Sequence, residues 1–277
     1  MNPHLVGDSE RWRLLKTLGQ GGEGIVYLIE EKTTSQRWVL KVFHDPVAAS
    51  QLRALRRYQS GIEGEGCPGL PAIELICDQD CVLGMRYRHT ALHRVHPFLL
   101  RSVCHLGQAL VASYCRMQHH LISQHGIAIW DASLKNFMLA RSGHFHWIDF
   151  GPGMEMVQHL PPDQNRGGFS HGFARLLLGV HGVYFKSVVP LAQCYTYNGH
   201  CAYFTHPVFD TIAEECDWVR DIVELVRSQQ ASAFLQAGFY KQIGEGLPTR
   251  VSTPTAVIAG SALLWRLSEL RAMLWSS

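Results

Sequence analysis

"HGIAIWDASLKNFMLARSGHFHWIDFGPG", residues 125–153, combines a polar loop, two short apolar runs and a second acidic loop, and this order is the strongest indication of the fold. Asp131 and Asn136 stand five positions apart in a polar loop. Two apolar runs, FMLA and HFHWIDF, follow with a turn between them, and we expect both to form short strands. The second run ends with Asp149-Phe150, and Gly151 follows. The sequence therefore predicts a polar loop, two strands and a second acidic loop.

The polar residues of this segment suit the transfer of a phosphoryl group. That reaction needs a group that orients or deprotonates the acceptor hydroxyl, oxygen ligands for Mg²⁺, and a cation near the developing charge. Asp131 is the candidate for the first task, and Asn136 and Asp149 are candidate metal ligands. Lys41 and Lys135 are the candidate cations. The alternative is that Asp131 only caps a turn by accepting hydrogen bonds from nearby N–H groups.

A glycine-rich stretch, LGQGGEGIVY at residues 18–27, is the second part of the pattern. Glycine lets the backbone turn tightly and approach phosphate oxygens, because no Cβ is in the way. We expect a strand on each side, which argues against a dinucleotide site, where a helix follows the glycines. The candidate nucleotide-binding residues fit G-x-G-x-x-G-x-V with one further glycine, and they are Gly19, Gly21, Gly22, Gly24 and Val26.

Lys41 lies in the apolar run WVLKVF, residues 38–43, which we expect to be the next strand. A Lys inside an apolar strand is costly unless its ammonium group meets an anion. An edge strand that lets the Lys reach solvent is the alternative explanation. Because the glycine-rich stretch comes just before, we expect the anion to be a phosphate of ATP.

The composition is compatible with an enzyme and argues against a nucleic-acid-binding or membrane protein. The 277 residues suffice for about two domains, and with 47% apolar and 17% charged residues the chain can build real cores. A net charge of +2 without a basic run gives nucleic acid or an anionic membrane no strong electrostatic attraction. The most apolar stretch, residues 255–270, contains Arg266 and Glu269, so we expect no membrane span.

The N-terminus has no signal-peptide pattern, and the eight Cys form no repeating framework. Reduced thiols of this kind fit a cytoplasmic protein. Along the chain, strands are expected over residues 12–43 and 70–88, a helix over 46–60, and mainly helices from about residue 97. We therefore expect an α+β fold with a small β-rich lobe at residues 1–88 and a larger helical lobe at 89–277.

Residues 12–155 resemble the protein-kinase-like phosphotransferases. LGQGGEGIVY resembles their Gly-rich loop, WDASLKN their catalytic loop and DFG their metal-binding motif, and Lys41 resembles their nucleotide-binding Lys. CVLGMRYRH resembles the strand that enters the hinge, with Met85 as the gatekeeper and the backbone of Arg86, Tyr87 and Arg88 facing adenine. The resemblance implies a two-lobed fold with ATP and Mg²⁺ in the cleft.

The chain also departs from that family. Ile129-Trp130 replaces the usual His-Arg before the catalytic Asp, residues 152–169 contain no Ser, Thr or Tyr, and no A-P-E motif follows. The family's usual Lys two positions after the Asp is replaced by Ser133, and Lys135 stands at the fourth position instead, where tyrosine-kinase-like loops often have Arg. The helix expected at 46–60 has no Glu to pair with Lys41, and Glu63 and Glu65 lie just beyond it.

Three functions remain open at this point. The first is an atypical protein kinase, the second a kinase of the same fold that acts on a sugar, lipid-linked glycan or other small molecule, and the third a pseudokinase. CDWVRDIVELV, residues 216–226, resembles the central C-lobe helix of protein kinases. GGFSHGFARLLLGVHG, residues 167–182, instead resembles the helix after the metal motif in lipopolysaccharide sugar kinases. The partner we expect is a protein or small-molecule hydroxyl; the sequence indicates no oligomeric state.

Overall fold

An antiparallel five-stranded sheet occupies the N-terminal part of the chain, and helices dominate the rest. The computed structural model describes residues 10–45, 47, 49–60, 66–78, 81–150, 154–157, 166–183 and 202–275. The strands are β1 (Trp12–Gln20), β2 (Gly24–Glu31), β3 (Arg37–Phe43), β4 (Ile73–Asp78), β5 (Cys81–Arg88), β6 (Leu92–His93), β7 (Ile127–Ile129), β8 (Phe137–Ala140), β9 (Phe145–Trp147) and β10 (Met154–Met156). The helices are α1 (Ala49–Ser60), α2 (Pro97–Ser102), α3 (Cys104–His120), α4 (Arg166–Val180), α5 (Pro207–Glu215), α6 (Asp217–Ser228), α7 (Ala237–Gly244) and α8 (Pro254–Trp275).

The large sheet has the strand order β1-β2-β3-β5-β4, and each neighbouring pair is antiparallel. Side chains alternate between its two faces, as the period of a strand requires. Leu40 packs with Trp12 and Ile29 in a small cluster on one face. Val39 and Phe43, on the other face of β3, belong to the main core of the molecule. Lys41 shares that second face, so its stem is directed into the molecule.

The main core continues from the sheet into the helical part through α1 and α3. Ala54, Leu55 and Tyr58 of α1 are buried in it, and α1 lies against β4 and β10. Helix α3 is buried along most of its length and packs on α7. A single π-helical turn, Leu121–His125, extends α3, and Gly126 ends it with a left-handed φ of 65°. The chain then enters β7 directly.

Two small sheets contain the strands of residues 125–150. Strand β7 pairs with β10, and β8 pairs with both β6 and β9. The predicted strand pair after Asn136 is therefore present, although its second strand ends at Trp147. Phe150, further on, is fully buried and contacts the rings of Tyr58, Tyr87 and Trp147.

The α+β class predicted from the sequence is confirmed: helices and strands are both abundant, and the N-terminal sheet is antiparallel. The helix predicted over residues 46–60 begins at Ala49, and Pro46, Glu63 and Glu65 lie outside the described residues. The long helix predicted from residue 97 is divided at Val103, whose φ of −118° and ψ of 89° are not helical. Within the described residues, no helix combines the length and hydropathy that a membrane span requires.

Candidate functional site

Lys41 is the centre of a group of charged residues brought together from distant parts of the chain. Its side chain is 9% exposed, because β3 turns it toward the main core. Its Nζ donates to Asp149 Oδ1 at 2.9 Å and to the carbonyl oxygen of Phe150 at 3.0 Å. The ammonium of Lys41 therefore meets an anion, and one such anion is the predicted metal ligand Asp149, while the binding of an ATP phosphate by Lys41 stays a prediction.

Glu23 provides the second carboxylate of Lys41, and sequence reasoning missed it. Its Oε2 accepts a hydrogen bond from Lys41 Nζ at 2.9 Å. Glu23 lies in the glycine-rich stretch between β1 and β2, eighteen positions before Lys41. The sequence offered one indication: Glu23 is the single acidic residue of the glycine-rich stretch, and the strand that contains Lys41 follows soon after.

The glycine-rich stretch makes a tight connection between β1 and β2. Gly21 N donates to the carbonyl oxygen of Gly24 at 3.0 Å, which closes the turn. A Cβ on Gly24 would lie 2.1 Å from the carbonyl oxygen of Val42, so only glycine fits beside β3 there. Gly22 has open space around its Cα. Of the predicted nucleotide-binding residues in this stretch, Gly19 and Val26 line a cavity that is described below.

The loop between β7 and β8 brings Asp131 and Asn136 together. Asn136 Nδ2 donates to the backbone carbonyl oxygen of Asp131 at 3.0 Å and lies 3.4 Å from its Oδ2. The carbonyl oxygen of Asn136 accepts from Ile148 N at 2.9 Å, which holds this loop beside the residue that precedes Asp149. Hydrogen bonds therefore join the predicted acid–base residue Asp131 to Asn136, and join Asn136 to the residue next to Asp149. Lys135 is exposed on the one-turn 3₁₀ helix of this loop.

Arg175 on α4 is a second residue that sequence reasoning missed. Its Nη1 lies 2.8 Å from Asp131 Oδ1, and both side chains are partly buried. Helix α4 can approach so closely because residue 172 is glycine: a Cβ there would lie 1.9 Å from the carbonyl oxygen of Trp130. A Cβ on Gly179, two turns later, would lie 2.8 Å from Leu134 Cγ. Small residues on one face of α4 therefore allow the Arg175–Asp131 contact.

Gln118 on α3 fixes the entrance to the same loop. Its Nε2 donates to the carbonyl oxygen of Ile129 at 2.5 Å, and its Oε1 accepts from Ile129 N at 2.8 Å. The hydroxyl group of Tyr114 also donates to the Ile129 carbonyl oxygen, at 3.3 Å. Gln118 is fully buried, so both polar atoms of its amide depend on these contacts. The backbone N–H and C=O groups of Ile129, two residues before Asp131, are therefore both held by Gln118.

A cavity of about 290 Å³ lies beside this charged group. Its walls are mainly apolar, and β1, β2, β3, β5, β8 and the residues around β9 contribute to them. The apolar lining residues are Leu18, Val26, Val39, Pro71, Leu92, Met138, Trp147 and Ile148. The remaining lining residues are Gly19, Tyr87, Arg88, His89, Thr90, Arg94 and His146. An apolar cleft with a few polar groups is the usual form of a small-molecule site.

Two of the four predicted hinge residues line this cavity and two do not. Met85 pairs with Lys41 in the sheet and is fully buried, and it does not line the cavity. Arg86 points to the opposite face, where it pairs with Glu74 and covers the ring of Trp12. Tyr87 and Arg88 do line the cavity. Tyr87 lies two positions after Met85 on β5, which ends at Arg88, and the gatekeeper role of Met85 stays a prediction.

Burial and neighbouring charges shift the pKa of several groups around the site. Burial raises the pKa of Tyr87, and the negative charge of Asp149 adds to the shift, so its phenol stays neutral. Burial lowers the pKa of His171, Arg175 lowers it further, and Asp131 acts in the opposite direction. Burial also lowers the pKa of His146. At neutral pH, the Tyr87 phenol and the imidazoles of His146 and His171 are therefore available as neutral hydrogen-bonding groups near the cavity and Asp131.

The donor atoms available near Lys41 suit a hard cation such as Mg²⁺. Asp149 offers a carboxylate, and Asn136 offers a carbonyl oxygen because its amide NH₂ group is turned to Asp131. Among the described residues, no three His, Cys, Asp or Glu side chains cluster in a way that could hold a metal ion. A cation at Asp149 and Asn136 would therefore depend on further oxygen ligands from a bound phosphate or water, which is the usual coordination of Mg²⁺.

The interpretation of these residues depends on their own geometry and chemistry, because relatives add nothing to it. No protein-family model matches the chain, and no curated protein matches it in sequence.

Proposed function

We propose that the protein is a phosphotransferase that moves the γ-phosphate of MgATP to a hydroxyl group. The contact between Lys41 and Asp149, which are 108 positions apart, is the observation that carries the proposal. A buried Lys beside a carboxylate that can hold a cation, with Asp131 and Asn136 on the adjoining loop, is the set of groups that phosphoryl transfer needs. The resemblance of residues 12–155 to protein-kinase-like phosphotransferases supports the same assignment.

The nucleotide base is proposed to bind in the cavity of about 290 Å³. Val26 and Val39 on one side and Met138 and Ile148 on the other offer apolar contacts to a flat heteroaromatic ring. Arg88, His89 and Thr90 also line the cavity and would provide polar groups at its edge. Gly19 lies at the same cavity, so the phosphates would extend from it beneath the glycine-rich turn toward Lys41.

Each charged residue then has a defined task. Asp149 and Asn136 would hold Mg²⁺, which neutralises charge on the β- and γ-phosphates when it is bound. Lys41 would bind a phosphate oxygen, and the exposed Lys135 would offset charge on the group being transferred. Asp131 would orient the acceptor hydroxyl and accept its proton, with its carboxylate held by Arg175.

The finer description of the fold belongs to the same proposal. We assign residues 1–88 to a small N-lobe and residues 89–277 to a C-lobe, in the manner of protein-kinase-like enzymes. The five-stranded sheet with α1 and the helices from α2 onward support this division. A cytoplasmic location is part of the proposal as well, because that compartment supplies MgATP and keeps thiols reduced.

A protein hydroxyl is the first acceptor that we propose, because the metal motif and the strand leading to the hinge resemble the protein-kinase branch most. A sugar or other small molecule is the second. The close packing of α4 on the loop at Trp130 favours it, since this helix contains the stretch that resembles lipopolysaccharide sugar kinases. Arg175, on the same helix, adds a cation at the place where the acceptor would approach Asp131.

The decisive experiment incubates the pure protein with γ-labelled ATP and Mg²⁺ and follows the label into the protein itself, generic proteins and sugars. We expect Mg²⁺-dependent ATP binding and transfer of the label. Lys41→Ala should abolish both, whereas Lys16→Ala, at an exposed position of β1, should change neither. Binding without transfer would identify a pseudokinase, and the absence of nucleotide binding would refute the proposal.

A further inference from the structure

Helix α1 cannot supply a carboxylate to Lys41. Its sequence, ASQLRALRRYQS, contains no Asp or Glu, and its polar residues are Ser, Gln, Arg and Tyr. Yet α1 is packed on the sheet face that carries Lys41, with Ala54, Leu55 and Tyr58 in the core. A Lys that must bind phosphate in a fixed position needs a permanent anion to hold it, because its four-carbon stem is flexible.

Glu23 occupies the place of that anion. Its carboxylate is 2.9 Å from Lys41 Nζ, and the backbone of its turn is anchored to the end of β3. His44 N donates to the carbonyl oxygen of Glu23 at 3.0 Å, and the imidazole Nε2 of His44 lies 3.1 Å from the carbonyl oxygen of Gly21. The turn also fits tightly at Gly24 against Val42. Glu23 is therefore fixed by its backbone as well as by its ion pair.

The hydrogen bonds of Lys41 indicate which partner would leave when a nucleotide binds. An ammonium group has three N–H donors, and Glu23, Asp149 and the carbonyl oxygen of Phe150 accept one each. A phosphate oxygen needs one of these donors. If Asp149 turns to Mg²⁺, its donor becomes available to phosphate while the Glu23–Lys41 pair remains. After this exchange Asp149 is paired with Mg²⁺ and Glu23 with Lys41. If Glu23 left Lys41 instead, the Glu23 carboxylate would have no cation.

We propose that Glu23 is the positioning residue of Lys41, so that the glycine-rich turn supplies the carboxylate that α1 lacks. This inference rests on the proposed function and deepens it, since it assigns a second task to the turn. The turn covers the phosphates with its backbone, and its one carboxylate orients the ammonium group that binds them. The two tasks are coupled, because a turn that moves away also releases Lys41.

The test compares Glu23→Gln and Glu23→Asp with the wild type, with Glu269→Gln on the exposed face of α8 as a charge-matched control. The readouts are the Kd of MgATP from calorimetry, kcat and KM for label transfer, and the melting temperature. We expect Glu23→Gln to lower kcat by about tenfold or more, since a misdirected Lys41 no longer stabilises the transferring phosphate. Glu23→Asp should recover a substantial part of the rate, and the melting temperature should change little.

Two results would overturn the inference while leaving the proposed function in place. Tighter MgATP binding by Glu23→Gln with an undiminished kcat would mean that Glu23 competes with phosphate for Lys41. Equal kinetics of Glu23→Gln and the wild type, with Lys41→Ala inactive, would mean that Lys41 needs no carboxylate from the turn. Failure of the proposed function is a different result, because the wild-type protein itself would then bind no MgATP, and the inference would fall with it.

Discussion

Arg175 Nη1 lies 2.8 Å from Asp131 Oδ1, so an ion pair between residues 44 positions apart joins α4 to the loop that carries the proposed acid–base residue. Asn136 Nδ2 lies 3.4 Å from the other oxygen of the same carboxylate. The Asp131 side chain is thus held on two sides, and both contacts restrict its rotation. A fixed carboxylate is what a positioned acid–base group requires.

Arg175→Met is expected to lower kcat by about tenfold, because the carboxylate of Asp131 loses the contact that fixes it. The apolar part of the Arg stem is kept by Met, so the packing of α4 should be preserved. The Kd of MgATP should not change, and Arg175→Lys should recover part of the rate. A variant with a lower melting temperature but a normal kcat would instead assign Arg175 a purely structural role.

Asp131→Asn is expected to lower kcat by a factor on the order of 10² or more with little change in the affinity for ATP. The amide cannot accept the proton of the acceptor hydroxyl, although it keeps the shape of the carboxylate. Asp149→Asn should differ, since it should also weaken Mg²⁺-dependent nucleotide binding. Turnover and melting temperature should be measured together, and a destabilised Asp131→Asn variant with full activity would indicate a turn cap.

Gln118→Leu is expected to destabilise the protein and to lower the rate, because it leaves the N–H group of Ile129 without its buried acceptor, while the Ile129 carbonyl oxygen keeps only the Tyr114 hydroxyl. Each unsatisfied buried group costs about 1–3 kcal/mol of the free energy of unfolding. Gln118→Glu keeps one acceptor for Ile129 N and should fall between the wild type and Leu. Chemical denaturation measures the effect. Equal stability of the Leu variant and the wild type would contradict the proposed contact.

Gly24→Ala and Gly21→Ala should have very different effects although both lie in the glycine-rich stretch. A methyl group added at Gly24 would lie 2.1 Å from the carbonyl oxygen of Val42, so β2 and β3 must move apart. We expect a loss of about 1–3 kcal/mol in the free energy of unfolding. Gly21 has nothing within 4 Å of the corresponding position and no positive φ, so its substitution should be nearly neutral. Similar denaturation midpoints for the two variants would refute this difference.

Stability is expected to fall as the pH drops below about 6.5, the usual pKa of histidine. The lowered pKa of a buried imidazole means that the unfolded chain takes up its proton first, so protonation favours unfolding. The loss begins at the unfolded pKa and continues until the pH reaches the lower folded pKa. His125→Phe should show a weaker decline of melting temperature with pH than the wild type. The described His residues with a lowered pKa are His89, His120, His125, His144, His146, His171 and His181.

The strands and the buried Lys41 were predictable because they depend on local periodicity. The apolar run WVLKVF predicted a strand with Lys41 inside it, and β3 confirms the strand; Lys41 is buried there on the face of Val39 and Phe43. Which residues of β5 line the cavity was not predictable from the same signal. Met85 and Tyr87 are two positions apart, so a period of two puts both on one face and cannot decide which lines the cavity.

The partners of the charged residues depend on contacts that a local pattern does not contain. Glu23 reaches Lys41 only because a turn of particular geometry joins β1 to β2. Arg175 reaches Asp131 because Gly172 allows α4 to approach the Trp130 carbonyl oxygen. The sequence indicated that Lys41 needed an anion and gave no signal for a cation beside Asp131, because both pairs depend on tertiary packing.

The rings around Phe150 have a consequence for the design of chemical probes. Phe150 lies 4.8 Å from the Trp147 ring, 5.6 Å from Tyr58 and 6.0 Å from Tyr87, measured between ring centroids. Tyr87 and Trp147 line the cavity and pack on Phe150, so a compound that displaces Phe150 would have to expel a fully buried aromatic side chain, at a cost of roughly 1.5–3 kcal/mol. Short, flat heterocycles that stop at Tyr87 should therefore bind better than elongated ones, and screening collections for this cavity should be chosen accordingly.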